Sequence, residues 1–260
     1  MIFDILTIFP DFFDSPLREG IVRRALTAGK ISVDVHDIRD YALDRHRMTD
    51  DRPFGGGEGM VMKPEPLVRC LQAIDGDQDQ SLIILLSPRG RRLNQETVHR
   101  LSESSRLILV CGRYEGVDER FRDRYVDEEL SIGDYVLTGG ELAALVVIDA
   151  VTRLLPGVLG CPGSATNDSF SRGLLKYGQF TRPRIFENMP VPDVLLSGDH
   201  QAIVRYRLIE SVRITMDRRP DLLATVRFSS EERRILKKEG LLERVEAIVQ
   251  QSRCEAEHSG

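Results

Sequence analysis

The chain has 260 residues, 41% hydrophobic and 30% charged, with a formal net charge of −5. That composition fits one large globular domain or two modest ones around a sizeable core, and excludes a chain disordered throughout. The longest apolar run, 142–148, is far too short to span a bilayer, and the four cysteines form no CxxC pair, so no membrane, zinc site or disulfide framework is expected.

In chain order, residues 2–8 read as a first strand. The opening MIFDILTIFPDFF has neither the basic stretch nor the small-residue cleavage site of a signal peptide, and a reducing cytoplasm is the expected compartment. Residues 17–28 look helical up to Gly29, and 31–36 alternate like a half-buried strand. Residues 40–62 are polar, carry Arg45, Arg47 and Arg52 and end in PFGGGEGM; a long irregular stretch of this kind points to function or mobility. Residues 64–73 read as a helix. The continuous apolar runs 82–86 and 107–110 read as strands of a parallel sheet covered on both faces, with a helix at 94–104 between them. Residues 141–155 form the strongest helical pattern, stopped by Pro156 and Gly157. The alternation predicts an α/β fold with a parallel sheet. The small, polar stretch 160–173 has linker composition, and 201–217 and 230–251 are helical patterns, with a frayed end from about 252. The expected division is a first domain over 1–160, a linker over 161–172 and a small, mainly helical domain over 173–260.

Charge is divided unevenly. Residues 1–170 carry 20 Lys and Arg against 28 Asp and Glu; residues 171–260 carry 16 against 13. Within the second part, 204–219 holds five arginines and two acids. A local basic patch can grip phosphates on an acidic protein, though a solvated helix face has the same composition.

Three segments share one layout, an apolar strand followed by a glycine-bearing loop. Residues 82–86 lead to Ser87, Pro88, Arg89 and Gly90. Residues 107–110 lead to Cys111, Gly112, Arg113, Tyr114, Glu115 and Gly116. Residues 135–137 lead to Thr138, Gly139 and Gly140. Glycines let backbone groups approach a ligand closely, and open parallel sheets bind ligands at the carboxyl ends of their strands. Neither GxxxxGK[ST] nor GxGxxG after the first strand is present, so neither a P-loop nor a standard dinucleotide fold is indicated. The alternative is that these glycines only make turns.

GRYEGVDER (112–120) followed by SIGDYVLTGGEL (131–142) closely resembles the bacterial tRNA (guanine-N1)-methyltransferases, the TrmD family of the SPOUT superfamily. So do DDRPFGGGEGM (50–60), LSPRGRRL (86–93), PGVLG (156–160), SATNDSF (164–170) and VLLSGDH (194–200), in order along nearly the whole chain. One departure is Ala143, where many members have proline. The resemblance implies a deep trefoil knot in the C-terminal part of the first domain, an exception to the rule against threaded chains. It implies S-adenosylmethionine bound in bent form by Leu86, Ser87 and Pro88; by Gly112, Tyr114, Glu115 and Gly116; and by Ser131, Ile132, Gly133, Asp134, Tyr135, Val136, Leu137, Gly139 and Gly140. It further implies an obligate homodimer with shared active sites, and tRNA as the substrate. The target it implies is the guanine just 3′ of the anticodon, preceded by another guanine. A ribose 2′-O methyltransferase of the same superfamily and a non-catalytic RNA-binding relative are the alternatives.

Methyl transfer to a ring nitrogen is a direct displacement that needs no nucleophilic cysteine, and Cys161 reads as structural. The guanine N1 proton must leave. The resemblance gives that general-base role to Asp168, a residue type that in a small-polar loop also serves as a cap or turn former. It gives Arg153 the developing charge on guanine O6, while an arginine at a helix C-terminus also suits the macrodipole. Glu115 lies where the family has an acid near the methionine end of the donor. It would offset the sulfonium charge or help place Mg2+, the second cofactor the resemblance suggests, with no metal ligands assigned in this chain. Asp134 reads as an acid that fixes its loop. Residues 40–62 are the candidate lid, with Arg45, Arg52 and the Gly55–Gly59 run, over a base that must leave its stack. The arginines of 204–219 are the candidates for phosphate contacts, which position without specifying.

Overall fold

The computed structural model describes residues 1–74, 81–160 and 168–258, with backbone alone at 252, 253 and 255–258. It divides into two compact units, Met1–Pro162 and Gly163–Gly260.

The first unit is built on a five-stranded sheet, ordered β2-β1-β6-β5-β7, in which every pairing is parallel. Its strands are β1 (Ile2–Thr7), β2 (Ser32–Asp37), β5 (Ser81–Arg92), β6 (Arg106–Cys111) and β7 (Glu128–Ser131). The unbroken apolar runs become intelligible when successive side chains are assigned to opposite faces. Ile84, Leu86, Leu107 and Leu109 join Phe3 and Ile5 in one buried cluster; Leu85, Ile108 and Val110 join Leu6 and Ile8 in the other. Helices α1 (Gly20–Thr27), α3 (Gln95–Ser102) and α5 (Glu141–Thr152) supply the first cluster, while α2 (Pro64–Ile74) and α4 (Glu119–Tyr125) supply the second. Start signals are explicit. Asn94 caps α3 by accepting from the Thr97 amide at 2.8 Å, and Asp118 caps α4 by accepting from the Arg120 amide at 2.9 Å.

Several boundaries differ from the sequence reading. The third strand is Glu128–Ser131, not 135–137, where Tyr135 and Val136 are exposed. Adjacent Glu128 and Glu129 hide that strand in the sequence, because only Leu130 and Ser131 of its four residues are buried. Strand β5 does not stop at Leu86. It continues through Ser87, Pro88 and Gly90 to Arg92, and its register against β7 shifts between Leu86 and Arg91. Helix α4 lies inside a segment read only as motif. The 40–62 stretch contains a 3-10 turn over Ile38–Tyr41 and two short antiparallel strands, β3 (Asp50–Asp51) and β4 (Val61–Met62), which make residues 52–60 the tip of a hairpin.

Among its described residues the second unit contains a two-stranded hairpin, β8 (Ile185–Phe186) and β9 (Met189–Pro190), and the α-helices α6 (Asp193–Leu196), α7 (His200–Arg218), α8 (Ser230–Lys238) and α9 (Leu242–His258). The single helix expected over 230–251 is two, because Gly240 takes φ +65° between them, and α9 stays helical to His258. Ser229 and Glu232 form a capping box at the start of α8. Leu174, Val212, Leu223 and Leu236 centre its core. Residues 168–172 are tied into this unit: the Phe170 amide donates to the Leu174 carbonyl at 2.9 Å and Arg172 pairs with Glu232 at 2.6 Å.

Candidate active site

Because all five strands run the same way, the carboxyl ends of neighbouring β6, β5 and β7 fall on one edge of the sheet. The Leu85–Arg89 part of β5 and the exit loops of β6 and β7 enclose one cavity there. Every predicted donor-loop residue except Asp134 lines it: Leu86, Ser87, Pro88, Gly112, Tyr114, Glu115, Gly116, Ser131, Ile132, Gly133, Tyr135, Val136, Leu137, Gly139 and Gly140. Asp134 turns away and pairs with Arg92. The sequence reading missed Arg113, Arg122, Glu129 and Thr138, which also line the cavity. Arg113 and Thr138 sit inside the recognised motifs, where a polar side chain between two glycines is the available signal.

The loops are laced by backbone. The Gly140 amide donates to the Gly112 carbonyl at 3.0 Å, and Arg113 pairs with Gly139 as an isolated antiparallel bridge. A Cβ on Gly140 would lie 2.7 Å from Cys111 Cα and 3.2 Å from the Gly112 nitrogen, so two main chains pass too closely there for any side chain. Gly116 and Gly133 take positive φ, as does Tyr114 at +59°. The far side of the 112–116 loop is held by β4 and the residue before it. The Glu115 amide donates to the Met60 carbonyl at 2.9 Å and the Met62 amide to the Gly116 carbonyl at 2.9 Å. The Glu115 side chain packs so closely over Gly59 that a Cβ there would lie 2.6 Å from its carboxylate oxygen.

Arg153, in the same unit, does not line the cavity. Arg153 is the exposed C-cap of α5, its amide donating to the Asp149 carbonyl at 3.2 Å. Asp168 belongs to the second unit, where its Oδ1 accepts from Lys176 Nζ at 2.9 Å. Cys161 lies outside the described residues. Burial pushes the Cys70 thiol up to about 12 and, with the Glu141 carboxylate nearby, Cys111 well above the ordinary range, so neither supplies a thiolate. Among the described residues no group of three or more His, Cys, Asp and Glu gathers to hold a metal, and no helix is long and apolar enough to cross a membrane.

The arginines of 204–219 are not one stripe. Arg213 pairs with Glu210 at 3.0 Å, Arg219 with Asp221 at 2.7 Å, and Arg218 approaches Asp217 at 4.0 Å. Arg205 is exposed, and Arg207 lies over the Tyr177 ring at 5.0 Å. In the hairpin tip, Phe54 is fully exposed and Gly55, Gly56, Gly57 and Gly59 all take positive φ.

Residues 1–225 match the family model described as tRNA (Guanine-1)-methyltransferase TrmD. A curated relative from Geobacter sulfurreducens, named tRNA (guanine-N(1)-)-methyltransferase, is 55% identical over 233 residues, 90% of this chain and 95% of its own length. Relatives of the same name from Geotalea uraniireducens and Chloroflexus aggregans are 53% and 55% identical. They match 91% and 86% of this chain, and 96% and 88% of their own lengths.

Proposed function

The chain belongs to the tRNA (guanine-1)-methyltransferase TrmD family, and we propose that it moves a methyl group from S-adenosylmethionine to N1 of the guanine 3′ of the anticodon in tRNA. The observation that carries this reading is the convergence of the Leu85–Arg89 part of β5 and the exit loops of the adjacent parallel strands β6 and β7 on one cavity. The cavity's chemistry fits the donor. Leu86, Pro88, Ile132 and Leu137 offer an apolar bed for a purine, and the glycine-bearing backbone offers amides and carbonyls for its polar edge. Glu115 and Glu129 offer negative charge for a sulfonium and an ammonium. The continuation of β5 past Leu86, and the close passage of Gly140 beside Cys111 and Gly112, support a knotted course for this part of the chain.

When bound, the donor supplies a methyl group on positively charged sulfur, ready for in-line displacement. What the chain must supply is a deprotonated guanine N1. Asp168 takes that proton, a role worth roughly 10²–10⁴ in rate. Arg153 stabilises the charge that spreads onto guanine O6. That Arg153 lies in the first unit yet outside the cavity lining supports an active site shared between two subunits. So does α5, apolar nearly all round, which leaves Leu142 49% and Val146 44% exposed one turn apart. In this reading 1–160 holds the donor, 161–172 connects, 173–260 grips tRNA through Arg205 and Arg207, and the 52–60 hairpin tip closes over the extruded guanine. Glu115 would also help place Mg2+ beside the donor. A tRNA substrate places the protein in the cytoplasm.

The test is incubation with methyl-labelled S-adenosylmethionine and tRNA transcripts that carry or lack the target guanine, followed by nucleoside analysis. Label in 1-methylguanosine, only with the target present, is the expected result. Label in a 2′-O-methylated ribose, or none, refutes it.

A further inference from the structure

We propose that Glu141 is a positioning residue of the donor pocket: through Arg113, its buried carboxylate locks the 112–116 and 138–140 loops to each other and to the end of β1. The inference rests on reading the cavity as the donor site. Glu141 opens α5, is 1% exposed and does not line the cavity, whereas Arg113 does. Glu141 Oε1 accepts from Thr7 Oγ1 at 2.8 Å and from Arg113 Nε at 3.2 Å. Its Oε2 lies 3.0 Å from Arg113 Nη2 but makes no aligned hydrogen bond, so the guanidinium charge is what compensates it. Arg113 in turn donates from Nη1 to the Thr138 carbonyl at 3.1 Å and lies 4.4 Å over the Phe9 ring. Thr7 Oγ1 also accepts from the Phe9 amide at 3.0 Å. One carboxylate thus gathers the ends of β1 and β6 and the loop that enters α5.

Gly139 gives a second line of support. Its φ is outside the positive region, so its backbone does not require glycine. What excludes a side chain is the pair itself: a Cβ there would run into Arg113 Nε and Cδ and lie 2.5 Å from Glu141 Oε2. A buried ion pair is weak evidence for stability, because desolvation offsets most of its attraction. One that spans two cavity loops, and for which a glycine makes room, is better explained by the geometry it fixes. In Glu141→Gln, one amide orientation sets donor against donor at Arg113; the other leaves the Thr7 hydroxyl without its acceptor. Both remove the charge that compensates Arg113.

The experiment compares the full-length wild type, Glu141→Gln and Glu141→Asp. S-adenosylmethionine affinity is measured by calorimetry, tRNA affinity by filter binding, and amide exchange in the donor-free protein. We expect Glu141→Gln to melt cooperatively, weaken donor binding at least tenfold, leave tRNA affinity within twofold, and speed exchange at 112–116 and 138–140 selectively. Glu141→Asp, which keeps the charge, recovers part of the donor affinity. Unchanged donor affinity and loop exchange in folded Glu141→Gln would overturn the proposal. So would exchange accelerated evenly across the first unit, the mark of general destabilisation. Loop exchange reads the brace without any donor, so a wild type that binds no S-adenosylmethionine refutes the donor reading and leaves the brace decided on its own evidence.

Discussion

Replacing Gly140 with alanine isolates one physical cause. Gly140 has φ −79° and ψ −9°, a conformation alanine adopts freely, so no backbone strain enters. At an unobstructed site the same change would stabilise by about 0.4–1 kcal/mol, through the unfolded chain. Here the new methyl carbon would stand 2.7 Å from Cys111 Cα, where ordinary contact begins at 3.4 Å. The obstacle is main chain on both sides and cannot rotate away. About 0.7 Å of separation is needed, and it falls on the 3.0 Å bond from the Gly140 amide to the Gly112 carbonyl. Losing a buried hydrogen bond costs about 1–3 kcal/mol, and overpacking a close contact about the same. The two together, less that gain, give a destabilisation of about 1–6 kcal/mol, lowering the melting temperature by roughly 2–24 °C in a chain of this size. Donor affinity falls with it, since both loops line the cavity. Calorimetric melting with and without S-adenosylmethionine measures both effects. Gly178→Ala is the control, with no positive φ and nothing within 4 Å of the added carbon, and melts at or slightly above wild type. A Gly140→Ala protein that melts and binds donor like wild type would refute the reasoning.

Three further outcomes are expected. Asp168→Asn lowers the single-turnover methylation rate at least about a hundredfold while calorimetric donor affinity holds; a near-normal rate removes Asp168 from the base role. Co-expressed Asp168→Ala and Arg153→Ala chains, purified as mixed dimers through different tags, recover activity that neither homodimer has; verified mixed dimers without recovery argue against shared sites. The third concerns Asp4, buried in β1 and bonded to His36 at 2.7 Å and Arg106 at 2.8 Å. Burial is the largest single influence and raises its pKa, but the bonds and charges of His36 and Arg106 together outweigh it and leave it below the ordinary 3.8. A lowered carboxylate stabilises the fold above its unfolded value and loses that contribution as pH falls through the folded one. Asp4→Asn is therefore less stable by about 3 kcal/mol at neutral pH, and the gap in urea midpoint narrows below pH 3.8; a gap constant down to pH 3 would contradict this linkage.

Much of this protein is legible in one dimension because its signals are local. The apolar runs 82–86 and 107–110, the helix start at Asn94, and the stop at Pro156 and Gly157 each act within a few residues of themselves. The loops that line the cavity could be named because their motifs are contiguous and glycine conformations are a local need. Tertiary structure decided the rest, since those facts join residues far apart in the chain. Sheet order puts the Leu85–Arg89 part of β5 beside the exits of β6 and β7, although β6 lies between β1 and β5. Strand β7 could not be read at Glu128–Ser131, because its partner rather than its composition makes it a strand. The sequence shows Glu141 as an ordinary acid at a helix start. Only the fold buries it between Thr7, 134 positions away, and Arg113, 28 away. The same holds for Gly139 and Gly140: sequence marks them as glycines in a turn, but the reason lies in the atoms of Arg113, Cys111 and Gly112 that pass where a side chain would be.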